Sequence, residues 1–332
     1  MDLNPDNIKA HIGKIGQKEA ITILEELLRS SSDLNLRKKS LELLGNIDDS
    51  KHFKLFEEIF LSDESIEIRI SSGKILEKNY MTHKKLTPLL EFTLFNIDKF
   101  EQKFLAIEIL NRINSTETRK IIKKFLKKFI KSKLKVRKDE FPREIFIKDF
   151  TNPIPASILE ICFNLILYDY YITVCGFNIT LRKGYIILLN CEGSGKSSIK
   201  EIDALNKLTK LEHLLIRRNN IRKIDGIEFL KNLKVLDLAS NNIEKIEVLK
   251  LENLEELDLS FNAIKSIENL ESLKKLKKLN LEANLINRIE NMNNLSNLED
   301  LDLSNNGISE IKNLNSLIQL KKLNLSYNKN SS

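Results

Sequence analysis

The 332-residue chain has no tryptophan, five prolines, ten glycines and three cysteines, and each shortage excludes something. So few prolines and glycines give too little turn-forming material for a loop-rich all-β protein. The 42% hydrophobic fraction excludes a disordered chain. Cys162, Cys175 and Cys191 are an odd set with no CxxC spacing. They argue against a disulfide framework or a zinc site and fit a reducing cytosol. His11, His52, His83 and His213 are far apart, and no HExxH, CxxC pair or GxSxG motif occurs. These absences predict no metal, no cofactor and no nucleophile–base set, so a protein that is not an enzyme. Long apolar runs are also missing. The most apolar stretch, ILEICFNLILYDYY (158–171), is interrupted by Glu160, Asn164 and Asp169. It falls short of the about 20 apolar residues that cross a bilayer. The N-terminus has no apolar core or cleavage site of a secretory signal. A cytoplasmic protein of about two domains is expected.

What is present is repetition. From Leu211 onward one pattern recurs, L-x-x-L-x-L-x-x-N-x-I-x-x-I. Copies begin at Leu211, Leu233, Leu254, Leu276 and Leu298, with a partial copy at Leu320. The alternation L-x-L puts its leucines on one face of a short strand. An asparagine recurs as Asn219, Asn241, Asn262, Asn284, Asn306 and Asn328. Its amide can bond backbone groups of adjacent turns, so the six predict a structural ladder. No copy buries its apolar face alone, so the copies must stack. On these residues the region resembles the 22-residue class of leucine-rich repeats, the type found in regulatory subunits of type-one protein phosphatase. The resemblance implies a solenoid with short parallel strands on its concave face, and a protein-binding role.

One motif competes with that reading. CEGSGKSS (191–198) follows the apolar run GYIILL and matches the end of a phosphate-binding loop at Gly195, Lys196 and Ser197. The first glycine of that motif is missing, since position 190 is Asn190. Stepping back in threes from Leu211 gives Leu208, Leu205, Ile202 and Ile199, the spacing of the later repeats. SSIKEIDALNKLTKL (197–211) therefore reads as the convex half of the first coil. GYIILLN reads as an entry strand and CEGSGKS as a loop in an irregular first coil. A nucleotide-dependent switch at 193–198 is the lesser alternative.

The N-terminal third is helical and also repetitive. LRKKSLELLGNIDD (36–49) aligns with IRISSGKILEKNY (68–80) and QKFLAIEILNRINS (102–115), with basic anchors Arg37, Arg69 and Lys103. Amphipathic stretches lie before and between them (18–30, 50–63 and 85–98). Helix pairs at about 30–35 residues indicate an α-solenoid. LRKKSLELLGNIDDSKHFKLFEEI, with Asp33 four residues before Arg37, resembles a HEAT repeat, and such arrays are protein-binding scaffolds.

Charge is unevenly placed. The net charge is +7, yet residues 119–138 hold eleven basic residues and no acidic one, which leaves 43 basic against 47 acidic elsewhere. In this segment Ile121, Ile122, Phe125, Leu126, Phe129, Ile130 and Leu134 form one helical face. Lys120, Lys123, Lys124, Lys127, Lys128 and Lys131 are expected on the other. Either this is the last helix of the α-solenoid with solvated lysines, or it binds an anionic membrane, an acidic protein or a nucleic acid.

The expected fold is thus an α+β repeat protein. A HEAT-like α-solenoid (1–138) precedes a junction and β cap (139–184) and a leucine-rich-repeat solenoid (185–332). The expected activity is that of a non-enzymatic adaptor that binds a protein on the concave face. There the variable strand residues include Arg217, Asp237, Asp258 and Asp302, with Phe261 and Tyr327 as aromatic anchors. Asp or Asn between the strand leucines is also the default of this repeat class. Part of that column is therefore architecture rather than recognition.

Overall fold

The computed structural model describes residues 4–47, 52–133, 141–146, 150 and 152–329. The chain divides into two compact units, one of residues 1–136 and 143–162, the other of 137–142 and 163–332.

The first unit is built from helices α1 (Pro5–Ile15), α2 (Gln17–Ser30), α3 (Leu34–Asn46), α4 (Phe53–Ser62), α5 (Ile66–Tyr80), α6 (Leu86–Asn96), α7 (Phe100–Ile113) and α8 (Thr116–Lys133). It also holds the start of α9 (Ala156–Thr173), which runs on into the second unit. Caps set the boundaries. Asn4, Asp33 and Ser65 accept from backbone amides in the first turns of α1, α3 and α5. Helices pack in sequential pairs, α2 on α3, α4 on α5 and α6 on α7, and α3, α5 and α7 pack in series. The three aligned segments of the sequence are these serial helices. Their close approach needs missing side chains. A Cβ on Gly45 would lie 2.8 Å from Ile75, and one on Gly73 would lie 2.6 Å from Leu105.

Polar bonds link one pair to the next. Arg37 is buried; its Nε donates to the Leu28 carbonyl at 2.8 Å, and its guanidinium reaches Asp63 and Glu64. Arg69 donates to the Asp63 carbonyl and to Gln102 Oε1, and buried Gln102 donates to the Phe60 carbonyl. Asp33, four residues before Arg37, caps α3 by accepting from the Asn35 and Leu36 amides.

The second unit is an eight-stranded sheet in chain order. Its strands are β1 (Asn178–Arg182), β2 (Tyr185–Asn190), β3 (His213–Leu215), β4 (Val235–Asp237), β5 (Glu256–Asp258), β6 (Lys278–Asn280), β7 (Asp300–Asp302) and β8 (Lys322–Asn324). β1 pairs antiparallel with β2, and every later neighbour is parallel. Within the expected β cap, the helix α9 runs to Thr173, and strand starts only at Asn178. That helix is tied to the first coil. Tyr170 donates to Asp203 Oδ2 at 2.6 Å, Tyr171 to the Asp203 carbonyl, and the Ile186 amide to Asn164 Oδ1.

Each coil contributes Leu or Ile to fixed inward columns. Leu214, Leu236, Leu257, Leu279 and Leu301 are at most 1% exposed, and so are Ile221, Ile243, Ile264, Ile286 and Ile308. The leucine column opens at Leu323, 39% exposed, and a further column of Ile224, Ile246, Ile267 and Ile289, all at most 2% exposed, opens at Ile311, 56% exposed.

Hydrogen bonds complete what the leucines begin. Asn262 Nδ2 donates to the carbonyls of Leu238, Leu259 and Ser260, and its Oδ1 accepts from the Ile243 amide at 3.0 Å. Asn241, Asn284, Asn306 and Asn328 repeat the pattern one coil on. Asn219 turns its Oδ1 to the Lys196 amide and Ser194 hydroxyl. Two further ladders were not foreseen. Asn269, Asn291 and Asn313 sit at φ near +60° and donate at 2.7 Å to the Ile246, Ile267 and Ile289 carbonyls of the preceding coil. Asn232, Asn253 and Asn297 donate to Thr209, Lys231 and Lys274.

Truncating a ladder amide removes four hydrogen bonds at once and leaves an inward backbone amide without its acceptor. Asn262→Ala is expected to lower the stability of the repeat unit by on the order of 2–4 kcal/mol, as one amide and three carbonyls lose partners. Asn269→Ala, with one such bond, should cost about 1 kcal/mol. Urea unfolding of both variants checks the ratio; an equal shift would contradict the ladder account.

Candidate functional site

The strand face carries the variable residues. On β3 to β7 the middle residue points inward and its two neighbours stay partly accessible, with Lys278 on β6 the more exposed. The resulting groove has a volume of about 310 Å³ and is lined by Asp237, Glu256, Asp258, Lys278, Asn280, Asp300 and Asp302 among others. Asp237, Asp258 and Asp302 thus come together as the sequence suggested. Glu256 and Asp300, from the first residue of each strand, join them; their alternation across the inward leucine was the overlooked signal.

These carboxylates have two jobs. One oxygen closes an Asx turn as the chain leaves the strand. Asp258 Oδ1 accepts from the Ser260 amide at 2.9 Å and its hydroxyl at 2.6 Å, and Asp302 does the same for Ser304. Asp237 Oδ1 accepts from the Ala239 amide, while Asn280 and Asn324 cap Glu282 and Ser326. The other oxygen is left for neighbours in the groove. Asp258 Oδ2 accepts from Asn280 at 3.3 Å, Asp302 Oδ2 from Asn324 at 2.9 Å, and Asp237 Oδ2 pairs with Arg217 at 3.3 Å. The turn explains why Asn and Asp interchange here: both supply Oδ1. Only the aspartates add charge.

The position that Arg217 holds in its own coil is taken in later coils by Ala239, Ser260, Glu282, Ser304 and Ser326. Ala239, Ser260 and Ser304 are buried at 0–2% exposure and cannot meet a partner. The next column does project. Arg218, Ser240, Phe261, Ala283, Asn305 and Tyr327 all hold φ between +52° and +56°, a left-handed turn repeated in every coil without glycine. Phe261 is 54% and Tyr327 81% exposed. A buried aromatic would repay that backbone conformation by packing; these two do not.

The outer columns pair charges between coils. Lys234 meets Glu212 at 3.1 Å, Lys277 meets Glu255 at 2.7 Å, Lys321 meets Glu299 at 2.8 Å, and Lys278 meets Glu256 at 2.7 Å. The lysine hydrogen bonds hold the Glu255 and Glu299 carboxyls below their ordinary range. Asp237 shifts the other way. Burial pushes its carboxyl up, against the Ala239 amide, and repulsion from Asp258 adds to it.

The GSGKS segment is stitched to the first coil. Gly193 and Gly195 take positive φ, the Lys196 amide is held by Asn219, and Ser197 Oγ donates to Glu201 at 2.5 Å. A three-residue 3-10 turn, Ile199–Glu201, follows. A phosphate loop requires a full helix there and a serine free for a magnesium ion. Cys162 and Cys191 are buried thiols, and burial pushes Cys191 up to about 12. That leaves both as small packing residues. Among the described residues no cluster of His, Cys, Asp or Glu could hold a metal ion, and no helix is long and apolar enough to cross a membrane.

The basic helix divides as its pattern suggested, with one exception. Ile121, Ile122, Phe125, Leu126, Phe129 and Ile130 are buried, and Lys120, Lys124, Lys127, Lys128 and Lys131 are exposed. Lys123 is only 7% exposed, with its ammonium 5.5 Å from the Phe150 ring centre. It belongs to the packed side, because a residue flanking the apolar stripe is covered by the segment that crosses it. Leu134 and the basic residues to Lys138 lie outside the described residues.

Strands of three residues, one coil every 21 or 22 residues and an asparagine ladder define a leucine-rich-repeat solenoid. The family comparison agrees: residues 209–251 and 252–297 match the family described as Leucine Rich repeats (2 copies), and 297–317 match Leucine Rich Repeat. Among solved structures, internalin C2 from Listeria monocytogenes is 26% identical, with a TM-score of 0.41, over 44% of this chain and 64% of that one. The TLR13–ssRNA13 complex is also 26% identical, with a TM-score of 0.33, over 38% of this chain and 23% of that one. The chain thus spans less than two thirds of either. Among curated sequences no match is found.

Neutralising Asp237 should stabilise the fold. In Asp237→Asn the turn acceptor remains and the buried charge goes. Because the folded carboxyl titrates above the unfolded one, the gain is absent at low pH. It grows as pH rises through that interval and is constant above it. Thermal melts from pH 3 to 8 should show the variant level with wild type at the acid end and higher at neutral pH. A variant less stable at neutral pH would assign Asp237 a favourable ion pair instead.

Proposed function

We propose that the chain is a non-enzymatic adaptor that binds a protein partner on the strand face, across Asp237, Asp258, Phe261, Asp302 and Tyr327 with Arg217 at one end. The observation that carries this is the division within single side chains. The fold uses one oxygen of each aspartate to close a turn and turns the other, bonded to an Asn or Arg of a neighbouring coil, into an open groove, and it holds two aromatic rings in solvent on the same series of coils. Nothing in the architecture requires Phe or Tyr at a left-handed turn, where Asn and Ser serve in other coils. Exposed aromatics beside an acidic groove have the make-up of an interface hot spot.

On this reading the helix pairs of residues 1–138 are HEAT-like and form a second scaffold, joined through 139–184 to the repeats of 185–332. The 21- and 22-residue spacing supports the class seen in type-one phosphatase regulatory subunits, and a regulatory role follows by analogy with that class. A cytoplasmic setting is part of this reading: among the described residues no helix is long and apolar enough to cross a membrane, and Cys162, Cys175 and Cys191 are free thiols.

The geometry also dictates how to test it. Asp258→Asn, Asp302→Asn, Phe261→Asn and Tyr327→Asn keep every turn acceptor and suit the left-handed backbone, so the combined variant should fold. Affinity capture is run with wild type and this variant at about 0.1 and 0.5 M salt, across which surface charge is strongly screened. A partner held by wild type at high salt and lost by the variant is the expected result. A partner held equally by both would move the binding site off the strand face.

A further inference from the structure

The first unit carries a second surface of different character. The solvent side of α6 holds Pro88, exposed, Phe92, 50% exposed, and Phe95, half-buried. They follow one another at helical spacing, so they form one ridge. An apolar ridge facing solvent is unusual on a helix whose other side is already packed, with Leu86, Leu89, Leu90 and Leu94 all at most 4% exposed.

Lysines border that ridge. α8 packs on α6, and the ammonium groups of Lys124 and Lys128 each lie 5.1 Å from the centre of the Phe95 ring. Lys120, Lys127 and Lys131 continue the exposed face of α8, and Lys84 and Lys85 are exposed at the start of α6. Between Thr116 and Lys133 there are eight basic residues and one acidic. Lys124 is paired with Glu91 at 2.7 Å; Lys120, Lys127, Lys128 and Lys131 have no carboxylate partner among the described residues. The patch is therefore an excess of unpaired positive charge around protruding apolar side chains.

From this juxtaposition we infer that the α6–α8 face docks on an anionic lipid bilayer, with the lysines against headgroup phosphates and carboxylates and Phe92 entering the interface. Charge complementarity selects an anionic occupant. The chemistry of the patch selects lipid over nucleic acid. Its cations are lysines, point charges without the planar fork that reads phosphate and base edges. Phe95 is already covered by two ammonium groups, so no paired stacking platform for bases exists. The apolar stripe of α8 is buried in the unit, so the helix does not lie in the membrane; attraction is long-range and Phe92 is the shallow anchor. This surface uses none of the strand-face residues.

The test is co-sedimentation of the full chain with vesicles of phosphatidylcholine alone or with phosphatidylserine added, and with a duplex RNA as competitor. The variants are Lys120→Glu/Lys127→Glu/Lys128→Glu/Lys131→Glu and, separately, Phe92→Ser. Wild type should bind only the serine-lipid vesicles at about 0.1 M salt and release them at about 0.5 M. The lysine variant should lose at least roughly tenfold in affinity, as several surface lysines each contribute. Phe92→Ser should weaken binding several-fold while leaving its salt dependence unchanged. If the lysine variant fails to fold, Lys127→Glu/Lys131→Glu together with the wild-type salt series decides. Equal binding to both vesicle types, equal binding by wild type and the lysine variant, or retention of RNA without retention of vesicles would overturn the inference.

Discussion

Everything in the repeat unit depends on one side-chain amide per coil. A coil of 21 or 22 residues turns its backbone inward where no water can reach it, and buried carbonyls need donors. An asparagine supplies two donor hydrogens and an acceptor from a single rigid group, as Asn262 does for three carbonyls and the Ile243 amide. Because the donors reach both its own coil and the preceding one, the amide fixes the offset between coils. Once that offset is set, leucines meet leucines, strand residues fall into columns, and lysines meet glutamates one coil away.

The proposed function rests on that regularity: a partner on the strand face would meet a lattice whose spacing is fixed and whose side chains vary. In the groove the variation is chiefly charge. Asp and Asn both satisfy the turn, so the pattern Asp237, Asp258, Asn280, Asp302, Asn324 can be set without disturbing the frame. The outer charges are spent on one another, as Lys277 with Glu255 and Lys321 with Glu299, so the acidic groove and exposed rings remain the distinctive features. A different logic governs the helical unit, where buried Arg37 and Gln102 tie pairs together and α8 gathers positive charge on its outer side.

The strand register, the ladder asparagines and the entry strand were legible because they recur at a fixed period and each has a physical reason to recur. The loop nature of GSGKS was legible from the spacing that follows it. Other features were hidden for specific reasons. The left-handed turn at Phe261 and Tyr327 carries no glycine, so the usual signal of positive φ was absent. The convex ladder through Asn269, Asn291 and Asn313 was periodic but overshadowed by the leucines beside it. Ala239, Ser260 and Ser304 look like surface residues, yet they are buried beneath the turn. Lys123 lies at the border of a helical stripe, where a wheel cannot say what crosses it. The helix that runs to Thr173 was obscured by β-branched and aromatic residues that suit either state.

The central claim is that frame and face are separable: the ladder carries the fold, and the groove charges and exposed rings carry recognition. Native-state hydrogen exchange of the Ile221, Ile243, Ile264, Ile286 and Ile308 amides, each of which donates to a ladder asparagine, tests it directly. The measurement compares wild type with the variant that replaces Asp258, Phe261, Asp302 and Tyr327 by asparagine. The account predicts that these amides are among the slowest to exchange and equally slow in both proteins. Loss of their protection in the variant would show that the face is part of the frame, and would contradict the account.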